Sequence, residues 1–196
     1  LETYFGYTSF RPAQEAPIAS LLRNEDVIGI MPTGAGKSIC FQIPALCKAG
    51  LTIVFSPLIS LMKDQVDGLL VQNIPAALIN STLTKAEFNK TMYEVRSGKI
   101  KLLYIAPERL GSNFFCNVLR ALPIAQVIVD EAHCISEWGH DFRPSYRLIG
   151  EWLNSLPKRP IVGAFTATAT KYVENDIKKL LGLDTANVYV TGFDRP

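Results

Sequence analysis

The sequence is short of net charge, of long apolar runs and of a signal segment, and each shortage excludes a class of protein. Its 20 basic and 18 acidic residues leave a formal charge of +2, so overall charge does not by itself indicate a nucleic-acid partner. No apolar run approaches the roughly 20 residues that a membrane-spanning helix needs. The N-terminal segment LETYFGYTSFRP lacks the basic start and apolar core of a signal peptide. We therefore expect no membrane partner.

The spacing of the four cysteines does not indicate a disulfide framework. The sequence contains no CxxC pair, which argues against a disulfide scaffold and against a thiolate zinc site. Cys40 and Cys47 lie seven residues apart in an apolar stretch, a spacing that places both on one face of a helix. We expect reduced cysteines buried in the core, in a chain that works in a reducing, cytosolic environment.

What the sequence does contain is an ordinary globular composition, with 48% apolar and 19% charged residues. Its 196 residues suit one domain, and no repeat, low-complexity segment or Pro/Gly-rich linker divides them. We expect a single domain over 1–196, in which residues 1–25 form a helical N-terminal extension.

Short apolar runs rich in Val, Ile and Leu alternate with helical patterns. Such runs are typical of strands that are covered on both faces. The expected strands are 26–31, 51–56, 76–80, 101–106, 126–130, 161–165 and 187–191. The expected helices include Lys37–Lys48, Leu58–Gln72, Lys85–Ser97 and Lys171–Leu181. Thr84 and Glu87 form a capping box at the start of the third helix. The alternation predicts an α/β fold with a mainly parallel sheet of about seven strands and helices on both faces.

The strongest chemical signal is a glycine-rich loop between an expected strand and an expected helix, with the sequence MPTGAGKS at 31–38. Its glycines allow a tight turn in which backbone N–H groups surround a phosphate at a helix N-terminus. Lys37 would place its ammonium against the β- and γ-phosphates, and the Ser38 hydroxyl would reach Mg²⁺. The alternative is a glycine-rich turn with a solvated lysine, and Met31 does occupy the first glycine position of the usual pattern. The residues expected to bind nucleotide here are Thr33, Gly34, Ala35, Gly36, Lys37 and Ser38.

A second signal is a pair of acids directly after an apolar strand, in QVIVDEAH at 126–133. Ligands of α/β sheets gather at the carboxyl ends of the strands. Asp130 would hold Mg²⁺, usually through water, and Glu131 would orient and deprotonate the attacking water. The alternative is a solvated acidic turn. Beside a phosphate loop, the pair indicates nucleoside triphosphate hydrolysis, without saying what the energy is used for.

Six segments in this order resemble the first motor domain of superfamily-two helicases, and most closely the RecQ-family DNA helicases. They are FGYTSFRPAQ (5–14), MPTGAGKS (31–38), SPLISLMKDQV (56–66), YIAPERL (104–110), DEAHCISEWGHDFRP (130–144) and FTATAT (165–170). FDRP at 193–196 resembles the junction to a second motor domain, which this sequence does not include. Met31 in the loop is usual in this family. The resemblance covers essentially the whole chain and implies a RecA-like three-layer sandwich.

The resemblance also implies that the N-terminal extension recognises adenine, and hence ATP rather than GTP. The side-chain amide of Gln14 can pair with one edge of adenine, while the flat groups of Tyr7 and Arg11 can stack on its ring. From the residues alone, this segment predicts a capped surface helix in which Tyr7 and Phe10 pack on the sheet.

The segment 136–144 mixes aromatic and cationic side chains, which suits single-stranded nucleic acid because bases stack and phosphates pair with cations. In the RecQ family an aromatic-rich loop at this place is implicated in coupling DNA binding to hydrolysis. The alternative is a hydrophobic plug folded back on the domain. His133, Cys134 and His140 fit no usual zinc spacing.

From their residues alone, the other resembling segments predict structural elements. In helicases of this type, Ser56, Lys63 and Arg109 fall in motifs associated with gripping the DNA strand. Thr166 and Thr168 fall in one that links hydrolysis to movement, and they could relay hydrogen bonds toward His133. The full set expected to bind DNA or couple it to hydrolysis is Ser56, Lys63, Arg109, His133, Trp138, His140, Phe142, Arg143, Thr166 and Thr168.

The function that the resemblance implies is that of the ATP-binding motor lobe of a 3′-to-5′ DNA helicase, with ATP and Mg²⁺ as cofactors. Its partners would be single-stranded and partly duplex DNA and the second motor domain of the same parent protein, which supplies arginines to the γ-phosphate. We therefore expect this chain alone to bind ATP and Mg²⁺ and to hydrolyse ATP poorly. Two alternatives stay open: a nucleotide- or DNA-binding module without turnover, and a related superfamily-two translocase or RNA helicase. The expected location is the cytoplasm, with the nucleoid, of a bacterium or the nucleus of a eukaryote.

Overall fold

Seven parallel strands form one sheet in the computed structural model, which describes residues 1–192. The strands are β1 (Val27–Ile30), β2 (Leu51–Phe55), β3 (Ala76–Ile79), β4 (Leu102–Ile105), β5 (Ile124–Val129), β6 (Ile161–Thr166) and β7 (Asn187–Val190). Their order in the sheet is β3-β4-β2-β5-β6-β1-β7, and every pairing is parallel. The segment FDRP at 193–196 lies outside the described residues.

Helices connect the strands. They are α1 (Glu2–Phe5), α2 (Pro12–Leu22), α3 (Lys37–Cys47), α4 (Ile59–Val71), α5 (Lys85–Arg96), α6 (Asn113–Arg120), α7 (Arg147–Asn154) and α8 (Lys171–Leu181). Short 3₁₀ helices cover Pro107–Gly111, Ala132–Ile135 and Pro144–Tyr146. Within residues 1–192, no helix has the length and apolar character needed to span a membrane.

The sheet separates two hydrophobic cores, because successive strand residues point to opposite faces. In β2, Ile53 and Phe55 pack in one core with apolar residues of α5, α6, α7 and α8. Val54, between them, packs in the other core with α2, α3 and α4. The central strands are thus buried on both sides, which explains their continuous apolar sequences. The expected three-layer α/β architecture with seven parallel strands is confirmed.

The expected boundaries hold to within two residues for every strand and within one residue for the four named helices. The capping box is present, since the Thr84 hydroxyl accepts from the Glu87 N–H at 3.3 Å and the Glu87 carboxylate accepts from the Thr84 N–H at 2.8 Å.

The segment YIAPERL continues from β4 into a 3₁₀ helix at Pro107, and α6 begins separately at Asn113, where the Ser112 hydroxyl caps it. One expectation was wrong. Cys47 is exposed rather than buried, whereas Cys40, Cys116 and Cys134 are buried. The reason is that continuous burial along α3 ends at Ala45, so the last turn leaves the sheet.

Candidate active site

The sequence-predicted loop and acids meet at one edge of the sheet, where the carboxyl ends of neighbouring strands lie together. The backbone continues the ladder one residue beyond the strands, because Met31 N–H donates to the Thr166 carbonyl at 2.9 Å. On the next strand pair, Asp130 N–H donates to the Phe55 carbonyl at 2.8 Å. The parallel sheet therefore aligns the starts of the loops that follow β1, β2, β5 and β6.

The glycine-rich loop has the shape of a phosphate cradle at a helix N-terminus. Gly34 and Gly36 have φ angles of 83° and 82°, in the left-handed region that favours glycine. Gly36 is the N-cap of α3, whose first N–H groups therefore lack helical acceptors. Lys37 folds back so that its Nζ donates to the Met31 carbonyl at 3.2 Å. The loop can receive an anion because the first N–H groups of α3 and the Lys37 ammonium both lie at this turn.

Arg11 and Gln14 hold the phosphate loop from the outside. The Arg11 guanidinium donates to the Gly34 carbonyl. The Gln14 amide nitrogen lies 3.3 Å from the Ala35 carbonyl and 3.2 Å from the Gly36 carbonyl, and its oxygen accepts from Arg11 N–H at 2.9 Å. Gln14 is buried, whereas Tyr7 is 56% exposed. The structure thus brings Arg11 and Gln14 to the loop and leaves the Tyr7 ring available at the surface.

Asp130 is a buried carboxylate close to that loop. One of its oxygens accepts from the Glu131 N–H at 3.0 Å. Burial raises the pKa of Asp130 to about 6, with the neighbouring Glu131 charge adding to the rise and Lys37 opposing it. A nearby cation would stabilise the ionised form of this buried carboxylate. The site therefore suits a divalent metal that is also held by phosphate oxygens.

Glu131 has an unusual backbone. Its φ is 48° and its ψ 47°, left-handed values that few residues other than glycine adopt. Its Oε2 lies 3.3 Å from the Nδ1 of His133. That hydrogen bond is the largest cause of a lowered pKa at Glu131, so the carboxylate is ionised at neutral pH and able to accept a proton.

His133 connects the acids to the end of β6. Its Nδ1 lies 2.8 Å from the Thr166 hydroxyl, which in turn donates to the Thr168 carbonyl at 3.1 Å. The relay predicted for these three residues is therefore geometrically complete, with Thr168 contributing its backbone carbonyl rather than its side chain.

The aromatic segment 136–144 forms a loop beside this relay. Trp138 is 77% exposed, and the His140 ring stacks on His133 with centroids 4.0 Å apart. Arg143 anchors the loop, since it donates to Asp141 through Nε at 3.1 Å and to the Pro57 carbonyl at 2.9 Å. Phe142 lies under the Arg147 guanidinium, 5.2 Å from its ring centroid. The loop is therefore not a hydrophobic plug, because Trp138 is exposed. Arg143 nevertheless attaches the loop to the rest of the domain.

The remaining predicted DNA contacts, Ser56, Lys63 and Arg109, are not all accessible. Lys63 is exposed on α4, but Ser56 is fully buried and its hydroxyl has no partner within the described part of the chain. Arg109 lies over the rings of Phe88 and Phe115, at 5.5 and 5.0 Å from their centroids. It is only partly accessible, so its role in the structure is first of all packing.

The sequence reasoning missed Gln65 and Tyr146. The Gln65 side chain lies near the Asp130 carboxylate and slightly lowers the pKa of that group, and its Oε1 accepts from the Tyr104 hydroxyl at 2.9 Å. Tyr146 donates to the Asp130 carbonyl at 2.8 Å. Gln65 lies inside a segment already singled out, so the signal was available, whereas a tyrosine bonded to a distant backbone carbonyl leaves no sequence pattern. No cluster of three His, Cys, Asp or Glu side chains suited to a metal ion occurs among residues 1–192.

The DEAD/DEAH box helicase family matches residues 11–176 of the chain. The chain is also similar over its whole length to two proteins named ATP-dependent DNA helicase RecQ. It is 50% identical to the one from Bacillus subtilis and 48% identical to the one from Pasteurella multocida. It spans only 33% and 31% of their lengths, respectively.

Solved structures with low sequence identity share the fold. A hypothetical ATP-dependent RNA helicase from Sulfolobus tokodaii aligns with a TM-score of 0.71 at 20% identity, over 95% of this chain and 54% of that one. The Hef helicase domain from Pyrococcus furiosus aligns with a TM-score of 0.73 at 18% identity, over 95% of this chain and 38% of that one. These alignments confirm the RecA-like fold that the resemblance implies.

Proposed function

The chain belongs to the DEAD/DEAH box helicase family, and on that premise we propose that it is the ATP-hydrolysing motor domain of a RecQ-like DNA helicase. The observation that carries the proposal is the meeting of the glycine loop 31–38 with Asp130 and Glu131 at one sheet edge, next to an anchored aromatic loop. The 3′-to-5′ direction and the unwinding of duplex DNA are taken from the family resemblance and belong to the parent protein.

The residues present fit MgATP. The backbone N–H groups of the loop and Lys37 would hold the phosphates, while Ser38 and the buried Asp130 would hold Mg²⁺, largely through water. When bound, MgATP supplies the phosphoanhydride bond that is cleaved. Asp130, whose pKa is raised to about 6 by burial in the structure, would become a fully ionised partner of the cation.

Glu131 is the proposed general base. Its pKa is lowered chiefly by the hydrogen bond with His133, so a carboxylate oxygen is free to accept the proton of a water molecule at neutral pH. His133, held by Thr166, orients that carboxylate. This chain thus supplies orientation and proton acceptance.

Adenine would lie against the N-terminal extension. Tyr7 offers an exposed ring for stacking. Gln14 and Arg11 already contact the loop carbonyls, so adenine recognition and phosphate-loop shape would share the same two side chains. This arrangement supports ATP as the nucleotide.

Single-stranded DNA is the proposed nucleic-acid partner. Trp138 can stack on a base, and an exposed cationic side chain such as Lys63 can pair with a phosphate. Because the chain spans about a third of its RecQ relatives, the parent's second motor domain would complete the site with arginines, a contribution of about 10³–10⁵ in rate in related enzymes. We propose that this chain alone binds MgATP and hydrolyses it slowly.

The test is nucleotide binding and turnover by the chain, measured with a fluorescent ATP analogue and phosphate release, with and without single-stranded DNA. Lys37→Ala should abolish binding, whereas Glu131→Gln should keep binding and abolish turnover. Lys179→Ala, which removes an equal charge from α8, is the matched control and should change neither. Unchanged binding in Lys37→Ala would overturn the proposal. Binding without turnover in the unsubstituted chain, equal to the Glu131→Gln rate, would favour the binding module.

A further inference from the structure

The peptide group between Asp130 and Glu131 is held on both of its polar sides. Its N–H donates to the Asp130 carboxylate at 3.0 Å, and its carbonyl accepts from the Tyr146 hydroxyl at 2.8 Å. These two hydrogen bonds fix the plane of the peptide that enters Glu131. The torsion φ of Glu131 is measured from that plane, so the two bonds bear directly on where the glutamate side chain points.

Glu131 needs such a restraint because its φ of 48° is costly for a residue with a Cβ. Left-handed conformations of this kind persist only where the surroundings over-determine them. The carboxylate that holds the N–H belongs to Asp130 itself, so it moves with the segment. Tyr146 comes from a different element, the 3₁₀ helix Pro144–Tyr146, and is therefore the external restraint.

Tyr146 is well suited to this task. Its side chain is fully buried, and burial raises the pKa of its phenol well above the usual value, so the hydroxyl stays protonated and can donate. It follows the aromatic loop by two residues and is tied to it, since Tyr146 N–H donates to the Arg143 carbonyl at 3.0 Å. The residue that fixes the peptide is therefore also hydrogen-bonded to the loop proposed to contact DNA.

We propose that Tyr146 is a positioning residue for Glu131: its hydroxyl holds the Asp130–Glu131 peptide so that the glutamate carboxylate meets His133. The inference rests on the proposed role of Glu131 as the base. Without the hydroxyl, the peptide loses the hydrogen bond to its carbonyl, Glu131 relaxes toward ordinary φ values, and its carboxylate leaves the imidazole.

The first test needs no catalysis. The chain has only two histidines, His133 and His140, so imidazole ¹⁵N signals can be assigned by one substitution. Glu131→Gln, which removes the carboxylate charge 3.3 Å from Nδ1, gives the benchmark shift for His133. We expect Tyr146→Phe to move the His133 signal toward that benchmark. Tyr189→Phe removes a hydroxyl that lies 2.8 Å from Ser20 elsewhere in the fold and should leave the signal unmoved. A folded Tyr146→Phe protein with the unsubstituted His133 signal would overturn the proposal.

The second test separates positioning from a general structural role. In single-turnover hydrolysis, Tyr146→Phe should lower the rate constant by about tenfold to a hundredfold, the scale of a misplaced catalytic group, with ATP affinity unchanged. In a Glu131→Gln background the same substitution should cause no further loss, because the two act through one group. If Glu131→Gln itself leaves the rate unchanged, the proposed function fails. If it lowers the rate but Tyr146→Phe does not, only the positioning role fails.

Discussion

His133 Nδ1 lies 2.8 Å from the hydroxyl of Thr166, so the segment after β5 is hydrogen-bonded to the last residue of β6. The direction of this bond follows from the next one. Thr166 uses its single hydroxyl hydrogen on the Thr168 carbonyl, 3.1 Å away, and must therefore accept from His133. The proton is thus placed on Nδ1, where it also faces the Glu131 carboxylate.

Thr166→Val should destabilise the chain. Valine has nearly the shape of threonine, but it leaves the buried Nδ1–H with one acceptor fewer and the Thr168 carbonyl without its donor. The expected loss in the free energy of unfolding is about 1–3 kcal/mol, the usual penalty for a buried polar group left unpaired. Urea denaturation measures it. Thr185→Val, at an exposed loop position, is the matched control, and equal losses in both variants would contradict the relay.

Gly36→Ala should harm the phosphate loop more than Gly34→Ala. Both glycines have φ near 80°, so each substitution carries a backbone cost of about 1–2 kcal/mol. A Cβ at Gly34 would meet open space, whereas one at Gly36 would collide with the Gln14 amide. We expect both variants to lose similar stability from the backbone, and Gly36→Ala to lose further stability and nucleotide affinity from the collision.

Fluorescent-ATP titration and urea denaturation of the two variants separate the effect of backbone strain from that of the collision with Gln14. Gln14→Ala in the Gly36→Ala background should restore part of the stability by removing the collision. Equal nucleotide affinity in Gly34→Ala and Gly36→Ala would show that the contact with Gln14 does not matter to the loop.

The central strands were predictable from sequence because burial on both faces of the sheet requires a continuous apolar run. Helix α8 was predictable to the residue, since Thr170 caps its start and Gly182, with φ of 64°, follows its end. The short helices α6 and α7 were not among the expected ones. Each has eight residues, about two turns, which is too few for the apolar period to stand out.

The site was predictable where its residues are adjacent in sequence and not where they are distant. The loop 31–38 and the acids Asp130 and Glu131 each form a local pattern. The hydrogen bond from Arg143 to the Pro57 carbonyl joins residues 86 apart in sequence. Because its acceptor is a backbone atom, no side-chain pattern predicts it. Arg109 shows that a local motif can also mislead. Its motif is associated with DNA, but tertiary packing places its guanidinium over two aromatic rings.

Glu25→Gln should lower stability at neutral pH and lose its effect in acid. Glu25 pairs with Arg23 at 2.8 Å and also accepts hydrogen bonds from Ser20 and Asn187, which together lower its pKa to about 2. Its ordinary value is 4.5. The folded state therefore holds the proton less tightly than the unfolded state. The stabilisation is present above pH 4.5 and is lost as the pH falls through about 2.

Thermal unfolding of the variant and the unsubstituted chain between pH 7 and pH 2 checks this sign. Glu151→Gln, which removes the same charge from an exposed position of α7, is the control and should show a smaller difference across the range. A Glu25→Gln deficit that grows toward acid would contradict the assignment.

Arg143→Lys should uncouple the aromatic loop while keeping its charge. The guanidinium bonds Asp141 and the Pro57 carbonyl at once, and a lysine ammonium lacks the planar fork that makes both contacts possible. The loop would then move independently of the segment that follows β2. Because the positive charge remains, we expect the affinity for single-stranded DNA to change little. DNA should instead lose its effect on the rate of ATP hydrolysis.

Trp138 reports the loop directly once the second tryptophan is removed. Trp152 is buried, and its indole N–H has no partner in the described part of the chain. Trp152→Phe therefore removes no hydrogen bond. In that background Arg143→Lys should lower the fluorescence anisotropy of Trp138. Arg147→Lys weakens two other contacts to the same loop, the exposed pair with Glu137 and the stacking over the Phe142 ring, and should lower the anisotropy less than Arg143→Lys does. If both variants free the tryptophan equally, the loop is held by its surface charges and not by the bond to Pro57, and the coupling assigned to Arg143 is wrong.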